Sequence, residues 1–138
     1  MTVVIIVNVN RGLIPFFQKD LEIERKVLQW MVNILKEKPE SPSMYERWIQ
    51  DGTILARLMM AICFNSVPRE VIHANWGCNP VLDRVNSVIF EMRRYGVTDM
   101  FEPQDLMELR NIPKVTRTLA QLCKLVSYTG APPNKLLF

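Results

Sequence analysis

Histidine occurs once in this chain, at position 73, and that scarcity excludes more chemistry than any other feature of the composition. A Ser-His-Asp triad or a histidine general base would have to be built on His73, which lies in an irregular stretch with no serine in a G-x-S-x-G setting. Glycine is sparse too. The five glycines, at positions 12, 52, 77, 96 and 130, are all isolated, so no phosphate-cradling glycine loop exists. Cys63, Cys78 and Cys123 form an odd set with no C-x-x-C pair, which argues against a disulfide framework and a zinc knuckle and points to a reducing compartment. No apolar run approaches the roughly 20 residues that a membrane-spanning helix needs. The opening MTVVIIVNVN is apolar but short and has no basic segment before it. It reads equally as an edge strand, a loose arm or residues foreign to the fold, and a soluble cytosolic chain is the expectation.

What is present suits one domain. A chain of 138 residues is the size of a single ordinary core, and 49% hydrophobic with 22% charged residues places it among globular rather than disordered sequences. The formal charge of +3 permits an acidic partner surface without indicating nucleic acid. Prolines punctuate the chain, and between them lie about four helical patterns and no alternating strand, so the expected class is all-α.

The first helix is expected from about Ile23 to Lys38, with Ile23, Val27, Trp30 and Ile34 in register and Met31 and Leu35 widening the stripe. Ser43 and Glu46 have the spacing of a capping box, followed by Tyr45, Trp48 and Ile49 as buried candidates. Asp51 is placed to cap a helix whose inner stripe is Ile54, Leu55, Leu58, Met59 and Ile62, the most buried of the set. Residues 65–79 read as a connection carrying His73, Trp76 and Cys78. Asn79 and Pro80 supply an N-cap and first-turn proline for a helix burying Leu82, Val85, Ile89 and Met92. Gly96 closes it, with Val97 folding back onto Met92. A last helix from about Pro113 to Tyr128 carries Val115, Leu119, Leu122 and Val126.

The acids of YGVTDMFEPQDLMELRN, residues 95–111, raise the question of a metal site. A calcium loop beginning at Asp99 would need oxygen ligands at its third and fifth positions and a glutamate at its twelfth, where Phe101, Pro103 and Arg110 stand. Asp99, Glu102, Asp105 and Glu108 therefore read as solvated acids near a helix N-terminus rather than as ligands or a catalytic pair. No metal, cofactor or catalytic residue is expected. Trp30 and Trp48 lie on apolar helix faces and read as core rather than as stacking platforms.

Together these segments resemble a calponin-homology domain over about Leu21 to Tyr128, in the single-copy calponin and transgelin version. The most specific part is YGVTDMFEPQDLMELRNIPKVTRTL, where Tyr95, Gly96, Val97, Phe101, Glu102, Asp105, Leu106, Glu108, Asn111, Val115, Thr118 and Leu119 match the family pattern. A second block, WIQDGTILARLM, matches through Trp48, Ile49, Asp51, Gly52 and Leu55, and Trp30 joins the structural signature. The chain departs from the pattern at Met60 and at Asp83-Arg84-Val85. The resemblance implies a bundle of four main helices with short connecting helices, spanning residues 21–128. Residues 1–20 would then be an arm, disordered or packed on the domain, and residues 129–138 a tail. It further implies no catalysis and a cytoplasmic, cytoskeletal role as a protein-interaction module. The partner it implies is chiefly the actin filament, with microtubules or another cytoskeletal or signalling protein as alternatives, and neither nucleic acid nor a membrane span. The basic residues on the implied contact faces are Arg25, Lys26, Arg57, Arg110, Lys114 and Arg117.

Overall fold

The computed structural model describes residues 20–63, 67 and 79–128. The expectations for the arm, for His73, Trp76 and Cys78, and for the tail lie outside the described residues. Within them stand six α-helices and one 3-10 turn: α1 (Leu21–Leu35), the turn Pro42–Met44, α2 (Tyr45–Ile49), α3 (Thr53–Ile62), α4 (Pro80–Tyr95), α5 (Pro103–Met107) and α6 (Ile112–Tyr128). There is no strand among the described residues.

Local chemistry sets most boundaries. The Asp20 carboxylate accepts from the Glu22 and Ile23 N–H groups at 3.1 and 3.2 Å, so α1 starts two residues ahead of the apolar pattern. It also ends early. Lys36 turns left-handed at φ +60, ahead of Lys38, whose helical conformation Pro39 would disfavour. The Ser43–Glu46 capping box does not form. Pro42 starts a 3-10 turn that takes Ser43 inside it, Ser43 Oγ lies 2.7 Å from Ser41 Oγ, and α2 begins after Met44 with no side-chain cap.

Asn79 Oδ1 accepts the Leu82 N–H at 3.1 Å and starts α4. At its other end the Gly96 N–H reaches the Arg93 carbonyl at 3.0 Å, and the Val97 N–H reaches Met92 at 3.0 Å, a complete Schellman closure. Gly96 at φ +124 takes a conformation that other residues rarely adopt. For α6, Asn111 Oδ1 accepts from the Lys114 N–H at 3.3 Å.

Helix α3 lies at the centre, with Ile54, Leu55, Leu58, Met59 and Ile62 all buried. It packs on α1, α2 and α4, while α1 packs on α6, and α5 joins α4 to α6. Val27, Met31 and Ile34 of α1 meet Val115, Leu119, Leu122 and Val126 of α6 in the same core. Two expectations shift in degree. Trp30 and Trp48 pack against the core but stay half-buried, because an indole is too large to be enclosed at the edge of a helix face. On α4, Val88 is fully buried and Leu82 only partly, which rotates the buried stripe toward Arg84, Val88 and Glu91.

Candidate partner-binding site

Two polar junctions hold the elements around α3 and α6, which carry Arg57, Lys114 and Arg117. At the first, the Asp51 carboxylate accepts the Thr53 N–H at 2.9 Å and starts α3 across Gly52, which sits at φ +80. A side chain at Gly52 would meet Val85 Cγ2 at 3.0 Å, so glycine is needed both for its conformation and for the approach of α4. The buried Arg84 reaches across from α4 and donates to the Asp51 carbonyl at 2.7 Å. The departure at Asp83-Arg84-Val85 therefore supplies a brace between α3 and α4.

The second junction is built on Asp105. Its Oδ2 accepts the Glu102 N–H at 2.9 Å, and its Oδ1 accepts from Arg110 Nη2 and Nε at 3.1 and 3.3 Å. Its carbonyl accepts the Asn111 N–H at 3.2 Å. Asp105 is buried, which differs from the solvated acid expected of a first helical turn. The reason is the reverse turn after α5, where Leu109 at φ +52 brings Arg110 back over the carboxylate. The loop before α5 is tied to α6 as well. Gln121 Oε1 accepts from the Thr98 and Asp99 N–H groups at 3.3 and 3.0 Å, and the Thr118 hydroxyl lies 2.7 Å from the Asp99 carbonyl. Gln50 Nε2 donates to the Met107 carbonyl at 2.8 Å, linking α2 to α5. In the interior, the Tyr45 and Thr116 hydroxyls lie 2.9 Å apart, and burial pushes the Tyr45 phenol well above its ordinary value.

The six basic residues divide on this frame. Arg25 and Arg117 are exposed, on α1 and α6. Lys26 is exposed and lies 3.4 Å from Glu22, one turn back. Arg57 is paired with Glu37, Arg110 is engaged by Asp105, and the half-buried Lys114 stands 4.0 Å from Asp99. The last three are thus held by acids of other segments, whereas Lys26 pairs along its own helix and, with Arg25 and Arg117, is exposed on the packed α1–α6 pair. Beside α1, a groove of about 580 Å³ runs along residues 38–43, lined by Leu28, Val32, Pro39 and Pro42 with Arg25 and Lys38. A shallower depression on α6 includes Cys123, whose thiol burial pushes upward in pKa. Among the described residues no group of three or more His, Cys, Asp or Glu side chains is gathered as a metal ion would require. None of the described helices is long and apolar enough to cross a membrane.

The family model of the calponin homology (CH) domain matches residues 21–127, most of the chain. The chain belongs to the calponin-homology family. Among curated proteins, Muscle-specific protein 20 of Drosophila melanogaster is 27% identical over 107 residues, covering 76% of this chain and 57% of that protein. Myophilin of Echinococcus granulosus is 29% identical over 107 residues, covering 76% of this chain and 56% of its own length. The matched part of this chain therefore spans little more than half of either relative.

Within this calponin-homology domain, Asp51, Gly52, Asp105 and Asn111 of the two sequence blocks sit at turns and caps, while Leu55, Phe101, Leu106, Val115 and Leu119 are buried. Tyr95 is half-buried against the core. Sequence reasoning singled out Arg84 as a departure from the family pattern but not as a buried brace, and it missed Gln50 and Gln121. For Arg84 a signal existed, since 84, 88 and 91 recur at helical spacing on the buried face. The two glutamines gave none, because their partners, backbone groups and the Thr98 hydroxyl, lie far away in the chain.

Proposed function

We propose that this calponin-homology domain is a non-catalytic interaction module of the cytoplasmic cytoskeleton that binds actin filaments directly and weakly, through charge. The observation that carries this reading is the family match over residues 21–127, joined to relatives of which one is named for muscle. Arg25, Lys26 and Arg117 are the residues proposed to contact the filament, since all three are exposed on packed neighbouring helices and an acidic surface attracts them. Arg57, Arg110 and Lys114 contribute mainly by holding that surface, given their ion pairs. The test is co-sedimentation of the chain with actin filaments and with microtubules, side by side, over a salt series. Pelleting with actin that falls as salt rises supports the reading. Pelleting with microtubules alone would replace the filament, and pelleting with neither at low salt would end the direct-binding proposal.

The groove beside α1 favours a second reading, an adaptor that takes an apolar segment of another protein against Leu28, Val32 and Pro39. An adaptor would bind a partner with little salt dependence and fail to pellet with either filament.

A further inference from the structure

The outer face of α4 carries an exposed aromatic that the fold does not use. Phe90 is 60% exposed, the most exposed large hydrophobic side chain among the described residues. The residues sharing its face at helical spacing are Asp83 and Asn86 before it and Arg93 and Arg94 after it, all exposed, with the half-buried Ser87 beside them. Arg94 lies 3.5 Å from Glu91 on its own helix and is 67% exposed. The helix dipole accounts for an acid in the first turn and bases in the last. It does not account for a phenylalanine in water between them.

We propose that this face is self-complementary and pairs α4 with α4 of a second copy of the chain, antiparallel, about a two-fold axis between residues 88 and 89. In that register Asp83 of each copy faces Arg94 of the other, and Ser87 of each faces Phe90 of the other. The two Phe90 side chains are then three residues apart along the contact, an axial offset of about 4.5 Å, within the range of offset aromatic pairs. The small Ser87 leaves room for the ring, and the two symmetric ion pairs close the ends, as an isologous contact requires. One helix pair buries less than the roughly 1,600 Å² of a standard interface, so the dimer is weak and concentration-dependent. Since α4 packs chiefly on α3 and α5 while Arg25, Lys26 and Arg117 lie on α1 and α6, pairing leaves those residues free on both copies. Where the filament reading also holds, on which this last step rests, the dimer joins two filaments.

Sedimentation equilibrium of the whole chain from about 10 µM to about 1 mM tests the pairing without any filament. The expected result is a rise from monomer toward dimer mass that Phe90→Ser removes. Asp83→Arg or Arg94→Asp should each weaken the dimer by about tenfold, and the double variant should recover to within about threefold of the original. Circular dichroism melts establish that each variant is folded, and the double variant guards against a loss caused by misfolding. Monomer mass throughout, an unaffected Phe90→Ser variant, or failure of the double variant to recover would each overturn the pairing. With filaments, low-speed pelleting of bundles should disappear in Phe90→Ser while high-speed pelleting persists. Loss of high-speed pelleting by that variant, with a monomeric parent, would assign the face to the filament and overturn the proposal. Absence of any pelleting by the parent chain would instead end the filament reading and leave sedimentation to decide the dimer.

Discussion

Asp105 carries more of this domain's local order than its small side chain suggests. One carboxylate caps the turn before α5 through the Glu102 N–H and anchors Arg110 beyond it, from a buried position. Replacing it with alanine leaves those donors without their acceptor and should cost about 2–3 kcal/mol, read from urea denaturation. Arg110→Ala should cost less, about 1 kcal/mol, because that guanidinium is half in water. Tyr45 gives a pH signature. Its phenol is held protonated by burial above the ordinary value of about 10, so the folded state binds that proton more tightly than the unfolded chain. The resulting stability is complete below pH 10 or so and is lost as pH rises further. Denaturation midpoints measured from about pH 8 to pH 11 should fall less steeply in Tyr45→Phe than in the parent.

At the scale of elements, α3 is the helix on which α1, α2 and α4 converge, and its contacts with α4 run through a gap only glycine allows. Leu55 is fully buried at its centre. Leu55→Ala should cost about 2–5 kcal/mol and lower the melting temperature by about 10 °C or more, measurable by circular dichroism. Gly52→Ala adds a methyl to a residue at φ +80 and presses on Val85, so a loss of about 1–3 kcal/mol is expected in the same melt. An unchanged melt for either variant would mean that α3 and α4 are not packed as described.

For the whole molecule, the arrangement separates exposed charge, proposed to meet the filament, from charge that braces. Reversing Arg25 and Arg117 together, each to glutamate, should weaken actin co-sedimentation several-fold while leaving the melting temperature unchanged, since neither side chain is packed. Arg110→Glu should lower both, because it repels the buried Asp105 carboxylate. Exposed charges act over about 10 Å at 0.1 M salt, so binding by the parent should fall steeply above that ionic strength. Titration calorimetry should detect no stoichiometric calcium uptake at micromolar concentration, because Asp99, Glu102 and Asp105 are spent on caps and ion pairs.

The helices, their apolar stripes and the caps at Asn79 and Gly96 were legible in the sequence because each depends on residues within one or two turns of one another. The family pattern was legible for a related reason, since Asp51-Gly52 and the Tyr95–Asn111 block are contiguous stretches that specify turns. Contacts between distant segments were decided only in three dimensions. Gln50 reaching Met107 and Gln121 reaching Thr98 are such contacts, while two nearer outcomes also needed the folded turns: Ser43 fails to cap because Pro42 coils the turn ahead of it, and Asp105 is buried because Leu109 folds Arg110 back. The same holds for the basic residues. Arg25, Lys26, Arg57, Arg110, Lys114 and Arg117 are alike as letters, and the placement of Glu37, Asp99 and Asp105 beside three of them ties those three across segments, while Lys26 pairs with Glu22 along its own helix and Arg25 and Arg117 face outward. A charge acquires its role from what stands within a few ångströms of it, and for long side chains those neighbours come from other parts of the chain.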